Sequence, residues 1–93
     1  MGNRLQDKVV IVTGAAQGIG FGCARMAAAE GAAVVLADIQ KERGEQAAAT
    51  VRAEGGKASF CPTDVRDEAQ CAGLIEHAMR AHGKLDGLVN NVG

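Results

Sequence analysis

The glycine-rich run TGAAQGIG at residues 13–20 constrains this chain more than any other feature, because of what stands on either side of it. It continues KVVIVTG at 8–14, a short β-branched apolar run typical of a strand that is buried on both faces. A helical segment begins at about Gly18. Strand, tight turn and helix therefore meet within a few residues, which favours a parallel α/β sheet.

The same alternation continues along the chain. Further strands are predicted at 32–38, 57–62 and 84–91, and helices at about 18–30, at about 41–54, and from near Asp67 to just before Gly83. The resulting order β-α-β-α-β-α-β predicts an α/β fold, an incomplete Rossmann-type doubly wound parallel sheet. With right-handed crossovers and one reversal of direction, its strand order is 3-2-1-4.

Helix ends and helix faces also follow from the sequence. Each helix is followed by glycine, which suits a left-handed C-terminal cap, and Asp67 is a suitable N-cap for the third helix. The run QKERGEQ at 40–46 is expected to be the solvated face of the second helix, in which Gly44, like Gly73 in the third, costs up to about 1 kcal/mol relative to Ala. Apolar residues at helical spacing place Ile19, Cys23, Met26 and Ala27 on one face of the first helix and Cys71, Leu74, Ile75 and Ala78 on one face of the third.

The predicted reversal lies between the first and fourth strands. Ligands of open α/β sheets bind at such a point, outside the carboxyl ends of the strands, so the loops after Thr13 and after Val89 are the candidate site. Gly14 can make the tight turn, Gly18 lets the backbone approach an anion, and Gly20 lets the helix pack close to the sheet. The alternative is that these glycines serve only the turn. Cys23 replaces the last glycine of GxGxxG, and no Gly-Lys-Ser/Thr follows, which argues against a nucleotide-hydrolysing P-loop.

Four features in this order resemble the short-chain dehydrogenase/reductase family: TGAAQGIG at 13–20, Asp38 at the end of the second strand, DV at 64–65 and NNVG at 90–93. The resemblance implies that residues 1–93 are the N-terminal part of a single NAD(P)-binding Rossmann domain, of which the remainder is absent from this chain. It implies a cofactor site made of Gly14, Gln17, Gly18, Ile19, Gly20, Asp38, Ile39, Asp64, Val65, Asn90 and Gly93. Val92 departs from the alanine usual in the family.

The expected cofactor is NAD. Asp38 lies 20 residues beyond Gly18 (38 − 18), where a carboxylate can accept hydrogen bonds from the adenosine ribose hydroxyls, although a solvated aspartate at a strand end is the simpler alternative. Relatives that use NADP often carry Arg or Lys where this chain has Gln17 and Ile39. By resemblance Asp64 meets the adenine amino group with the Val65 backbone beside it, unless Asp64 only shapes a turn. By resemblance Asn90 ties the fourth strand to its neighbours and touches the cofactor with its backbone, and Gly93 leaves room near the nicotinamide ribose.

The resemblance implies hydride transfer between nicotinamide and a small alcohol or carbonyl substrate, by a homo-oligomer when complete. The family's catalytic Tyr, Lys, Ser and Asn belong to its second half. This chain has no tyrosine, and its only serine, Ser59, lies in the third predicted strand, so no catalytic residue is assigned. The alternatives are a non-catalytic NAD-binding module or sensor subunit, and a non-functional gene fragment.

Composition and short motifs exclude other classes. Ten Lys plus Arg against eleven Asp plus Glu give a net charge of −1, and aromatic residues make up 2%, which argues against nucleic-acid binding. No apolar run is long enough for a membrane span and the N-terminus lacks a signal-peptide core, so a cytoplasmic protein is expected. Three cysteines without CxxC spacing, and His77 and His82 five residues apart, predict no metal site.

Overall fold

A computed structural model describes residues 4–91 and shows four parallel strands with three intervening helices. The order of the strands in the sheet is 3-2-1-4, so the predicted fold class and strand order are confirmed. The elements are β1 Val9–Thr13, α1 Gly18–Ala29, β2 Ala33–Asp38, α2 Lys41–Ala53, β3 Lys57–Pro62, α3 Glu68–His82 and β4 Gly87–Val89.

Two apolar clusters cover the two faces of the sheet, because alternate residues of a strand point to opposite sides. On one face, Val10, Val12 and Leu36 pack with small residues of α1 and α2. On the other face, Ile11 and Val35 pack with α3, through Leu74 and Ala78, and with the partly buried Leu85. All five residues of β1 are buried, as the sequence predicted for a strand covered on both sides.

The face of α1 that meets the sheet differs from the prediction. Ile19 and Met26 are 77% and 71% exposed, whereas Gly20 and Ala24 are buried. Cys23 and Ala27, the other two members of the predicted face, are partly buried against the core. Small residues face the sheet here because they let the helix approach closely, and the larger apolar side chains are left outside.

Gly44 of α2 is buried, so the prediction that it belongs to a solvated face is wrong. A Cβ atom at this position would overlap Cε1 and Cζ of Phe60 and lie 2.5 Å from its Cδ1. The phenyl ring of Phe60 therefore occupies the space that a residue larger than glycine would need at position 44.

The last strand is shorter than predicted. Strand geometry extends only over Gly87–Val89, within the predicted range 84–91, and Leu88 is 56% exposed. Asp86 secures the start of β4 to β1: its backbone N–H donates to the Val9 carbonyl at 2.8 Å, and its Oδ2 accepts from the Val9 N–H at 2.8 Å. The hydrogen bond to the Asp86 carboxylate takes the place of a backbone hydrogen bond between β1 and β4 just before β4 begins.

This link makes the attachment of β4 sensitive to acid. The hydrogen bond from the Val9 N–H, with smaller contributions from Lys84 and Lys8, holds the pKa of Asp86 below its usual value. A depressed pKa in the folded state contributes stability above the unfolded pKa of about 3.9, and that stability is lost as the pH falls below it. We therefore expect Asp86→Asn to reduce the difference in free energy of unfolding between pH 7 and pH 3.

The measurement is urea denaturation of the full-length protein and the variant at both pH values. Glu45→Gln, at an exposed position of α2, is the control for losing one negative charge. An equal acid-induced loss of stability in Asp86→Asn and the unaltered protein would contradict the role given to Asp86.

Candidate functional site

A cleft of about 630 Å³ lies at the carboxyl ends of the strands, where the strand order reverses between β1 and β4. Its volume is within the range of about 300–1,000 Å³ typical of ligand and cofactor sites. All four loops that follow the strands contribute to it. The lining residues are Gly14, Gln17, Gly18, Ile19, Ala37, Asp38, Ile39, Gln40, Thr63, Asp64, Val65, Arg66 and Asn91.

The loop between β1 and α1 presents the positive end of a helix to this cleft. Gly14 and Gly18 have φ angles of +61° and +63°, in the left-handed region that favours glycine. Gln17 is the N-cap of α1 but makes no side-chain capping bond, and the first turn contains no acidic residue. The N–H groups of that turn are therefore available to an anion, and the helix dipole favours one there.

Gly20 lies behind this loop and does not line the cleft. A Cβ atom on Gly20 would overlap the Gly14 carbonyl oxygen and stand 2.8 Å from Asn91 Nδ2. The first turn of α1 thus packs directly on the backbone of the turn that precedes it. Gly20 was predicted to let the helix pack close to the sheet. The helix does pack closely at Gly20, but against atoms of the neighbouring loops and not against a strand.

Asp38 stands at the end of β2 with both carboxylate oxygens engaged. Its Oδ2 accepts from the Ala16 N–H at 3.0 Å, and its Oδ1 accepts from the Gln40 N–H at 2.9 Å. Its backbone carbonyl accepts from the Thr63 N–H at 3.0 Å. One residue thereby connects the loops that follow β1, β2 and β3.

Asp64 is paired with Arg66, which stands two residues further along the same loop. Asp64 Oδ2 is 2.9 Å from the Arg66 guanidinium, and Asp64 Oδ1 accepts from both the Nε and the backbone N–H of Arg66 at 3.0 Å. These bonds, first from the side chain and then from the backbone, lower the pKa of Asp64. The carboxylate is therefore ionised at neutral pH, with a guanidinium beside it at the wall of the cleft.

Thr13 connects the fourth loop to the glycine-rich turn. Its Oγ1 lies 3.1 Å from Asn90 Oδ1 and 3.3 Å from the Val89 carbonyl, and its hydroxyl can donate to either. The same oxygen accepts from the Asn91 N–H at 3.0 Å. The loop after β4 is thus held against the end of β1, with Asn91 lining the cleft.

One cation reaches the rim of the cleft from α2. Arg43 donates a side-chain hydrogen bond to Oε1 of Gln17, which is exposed at the start of α1. Ile39 stands nearby on the lining and is 61% exposed. The rim therefore combines a carboxylate, an amide and a guanidinium within a few residues of the ends of β1 and β2.

Most of the predicted cofactor residues come together in this cleft. Those that line it are Gly14, Gln17, Gly18, Ile19, Asp38, Ile39, Asp64 and Val65. Gly20 and Asn90 do not line it, and Gly93, like Val92, lies outside the described residues. The cofactor roles of all eleven remain predictions.

Five further residues line the cleft without having been predicted: Ala37, Gln40, Thr63, Arg66 and Asn91. Asn91 belongs to the NNVG motif and Arg66 directly follows DV, so both had a signal in the sequence. Among residues 4–91, no group of three or more His, Cys, Asp or Glu side chains is arranged to hold a metal ion. No helix in that same range has the length and apolar character needed to cross a membrane.

A parallel sheet with a glycine-rich strand-to-helix turn, and an acidic residue ending the next strand at the point of reversal, defines the dinucleotide-binding class of α/β proteins. Residues 8–93 match the family described as short chain dehydrogenase. The chain belongs to this family.

Similar proteins include cyclopentanol dehydrogenase of a Comamonas species, 44% identical over 90 residues. Cis-4-hydroxycyclohexanecarboxylate dehydrogenase of Sinomonas cyclohexanicum is 43% identical over 93 residues. These matches cover 97% and 100% of this chain, but the chain spans only 36% and 37% of the length of the two relatives.

Among solved structures, hydroxysteroid dehydrogenase from Escherichia coli superimposes with a TM-score of 0.94 at 38% identity. That match covers 97% of this chain and 38% of the other. A short chain dehydrogenase from Mycobacterium smegmatis gives the same TM-score and identity, and the match covers 98% of this chain and 39% of the other.

Proposed function

We propose that this chain is the NAD-binding part of a dehydrogenase that transfers a hydride between nicotinamide and an alcohol or carbonyl substrate. The observation that carries the proposal is the cleft at the strand reversal, whose lining includes both an uncapped helix N-terminus and Asp38. Bound NAD supplies the carbon that accepts or returns the hydride. The protein's task here is to hold and orient it.

The residues present fit such a cofactor. The first-turn N–H groups of α1 suit a pyrophosphate, with Gly14 and Gly18 leaving its approach open. Asp38 suits the vicinal hydroxyls of the adenosine ribose, and Asp64 with the Val65 backbone is assigned to the adenine on family resemblance. On family resemblance, Asn90 touches the cofactor with its backbone and Gly93 leaves room near the nicotinamide ribose.

Proton transfer at the substrate oxygen is assigned to groups outside these residues. The chain contains no tyrosine, and its only serine, Ser59, does not line the cleft. Ser59 lies in β3, where its Oγ is 3.5 Å from His77 Nε2. A positioned acid or base contributes about 10² to 10⁴ in rate, so binding NAD does not by itself give turnover. Binding without turnover in the full-length protein would favour the alternative of a non-catalytic NAD-binding module.

The names of two relatives suggest the class of substrate. Cyclopentanol and cis-4-hydroxycyclohexanecarboxylate are both cyclic secondary alcohols. We therefore propose that the full-length protein acts on a small secondary alcohol or the corresponding ketone. Reduction of NAD in the presence of a panel of cyclic and open-chain secondary alcohols, followed by absorbance, tests the reaction.

We expect the full-length enzyme to prefer NAD to NADP by at least about tenfold in kcat/KM. A phosphate on the ribose 2′ oxygen about 4 Å from the Asp38 carboxylate would meet up to about 4 kcal/mol of repulsion per charge pair at an effective dielectric constant near 20, less after screening by salt. Arg43 at the rim offsets part of this repulsion. A difference of about 1.4 kcal/mol is already tenfold.

Steady-state kinetics with both cofactors on one substrate provide the measurement. Asp38→Ala combined with Ile39→Arg should move the preference toward NADP, because it replaces a carboxylate at the rim by a guanidinium. Glu45→Ala on α2 is the control for removing an acidic residue elsewhere. A kcat/KM that favours NADP in the unaltered enzyme would refute the preference.

A further inference from the structure

We propose that Asp38 is a positioning residue for the glycine-rich loop, independently of any contact with a ribose; this inference rests on the proposed function for the identity of the ligand. The Asp38 carboxylate lies between two loops and accepts one backbone N–H from each, Ala16 before α1 and Gln40 before α2. The loop between Gly14 and Gly18 is thereby attached at its midpoint to the end of β2.

The Ala16 N–H depends on this carboxylate. Ala16 is buried, so its N–H lacks ready access to water if the acceptor is removed. The neighbouring Ala15 N–H donates to the Ala37 carbonyl at 3.2 Å, which continues the attachment of the loop to β2 by one residue. Asp38 extends that attachment to the stretch of loop that carries the left-handed Gly18 and the start of the helix.

The same carboxylate retains capacity for a ligand. An ionised carboxylate offers about four acceptor sites, of which Ala16 and Gln40 take two. Two sites remain for a pair of vicinal hydroxyls. An asparagine has a single carbonyl oxygen, so it can replace one backbone contact but cannot serve both loops and a ribose. A carboxylate is therefore the side chain that meets both demands.

The test uses ligands with and without ribose hydroxyls on the full-length protein. ADP and 2′,3′-dideoxy-ADP are titrated by calorimetry into the unaltered protein and into Asp38→Ala and Asp38→Asn. A residue that only receives ribose hydroxyls has no effect on the dideoxy ligand. We expect Asp38→Ala to weaken binding of 2′,3′-dideoxy-ADP by about tenfold, the scale of a lost hydrogen bond to a charged group. Asp38→Asn should weaken it by less.

Asp67→Ala is the matched control. Asp67 also accepts two backbone N–H groups, from Ala69 and Gln70, but it stands at the start of α3 and does not line the cleft. It should leave the affinity for both ligands within about twofold, because the loop after β1 keeps its support. Equal binding of the dideoxy ligand by Asp38→Ala and the unaltered protein would overturn the proposal.

Amide hydrogen exchange in the ligand-free protein decides the matter separately. We expect exchange at the Ala16 N–H to accelerate by about tenfold or more in Asp38→Ala, and by less in Asp38→Asn. Unchanged protection at Ala16 would also overturn the proposal. An unaltered protein that binds neither ADP nor NAD would instead refute the proposed function, and the exchange measurement would still decide the role of Asp38 in the loop.

Discussion

Gly20→Ala in the full-length protein is expected to weaken NAD binding by at least about 100-fold. The added methyl group would overlap the Gly14 carbonyl oxygen, which is backbone and cannot rotate away. Either α1 moves off the loop or the loop moves into the cleft, and in both cases the first-turn N–H groups lose their alignment. Losing two hydrogen bonds to a charged group at about 1.5 kcal/mol each gives an effect of this size.

Gly22→Ala is the control for this substitution, in the same helix and of the same chemistry. A Cβ at Gly22 meets no atom within 4 Å, so the substitution should leave NAD affinity unchanged. It should raise the free energy of unfolding by up to about 1 kcal/mol through helix propensity. Calorimetric titration gives the affinities, and circular dichroism checks that Gly20→Ala remains folded. Equal NAD affinity in the two variants would mean that the contact between α1 and the loop is not needed for the site.

The contrast between Gly20 and Gly22 shows what the sequence can and cannot predict about this site. Both glycines stand in the first two turns of one helix, and spacing alone singled out Gly20 because the turn before it was recognised. One of the atoms that Gly20 approaches is the side-chain nitrogen of Asn91, more than seventy residues away along the chain. Long-range contacts of this kind leave no local pattern, which is why Asn91 was missed as a lining residue although its motif was noted.

The order of the strands and helices was predictable because the sequence patterns that mark them are local and repeated. The first two strands are short runs rich in β-branched residues, and each helix is followed by glycine, so element order and handedness leave few topologies. The packing face of α1 was not predictable in the same way. Ile19 and Met26 have the spacing of a core stripe, but α1 contains enough glycine and alanine to approach the sheet with small residues. Periodicity reports where apolar residues recur, and it does not report how closely two elements approach.

The loops after the four strands form one connected structure at the carboxyl edge. Asp38 joins the first three loops and Thr13 joins the first to the fourth. A residue that is predicted to contact the cofactor, such as Asp38, therefore also holds the backbone of these loops. Substitutions chosen to change cofactor specificity then change loop geometry as well. For this reason Asp38→Ala with Ile39→Arg should gain preference for NADP while losing absolute efficiency with both cofactors.

Gly44→Ala is expected to destabilise the full-length protein by about 1–2 kcal/mol, against the usual effect of replacing glycine in a helix. Overpacking a core position costs about 1–3 kcal/mol, and the gain in helix propensity returns about 1 kcal/mol at most. The cost arises because the new methyl group needs the space held by the Phe60 ring, which is buried between α2 and the sheet. The ring must tilt or α2 must move outward.

Gly73→Ala in α3 is the matched control, because a Cβ there meets no atom within 4 Å. It should stabilise the protein by up to about 1 kcal/mol, so the two substitutions have effects of opposite sign. Urea denaturation of both variants measures the change in free energy of unfolding. Phe60→Leu provides a further check: a smaller side chain leaves room for the methyl group, so the double variant Gly44→Ala with Phe60→Leu should be more stable than the sum of the single changes predicts. Additive effects, or a stabilising Gly44→Ala, would show that the ring does not determine the size of the residue at position 44.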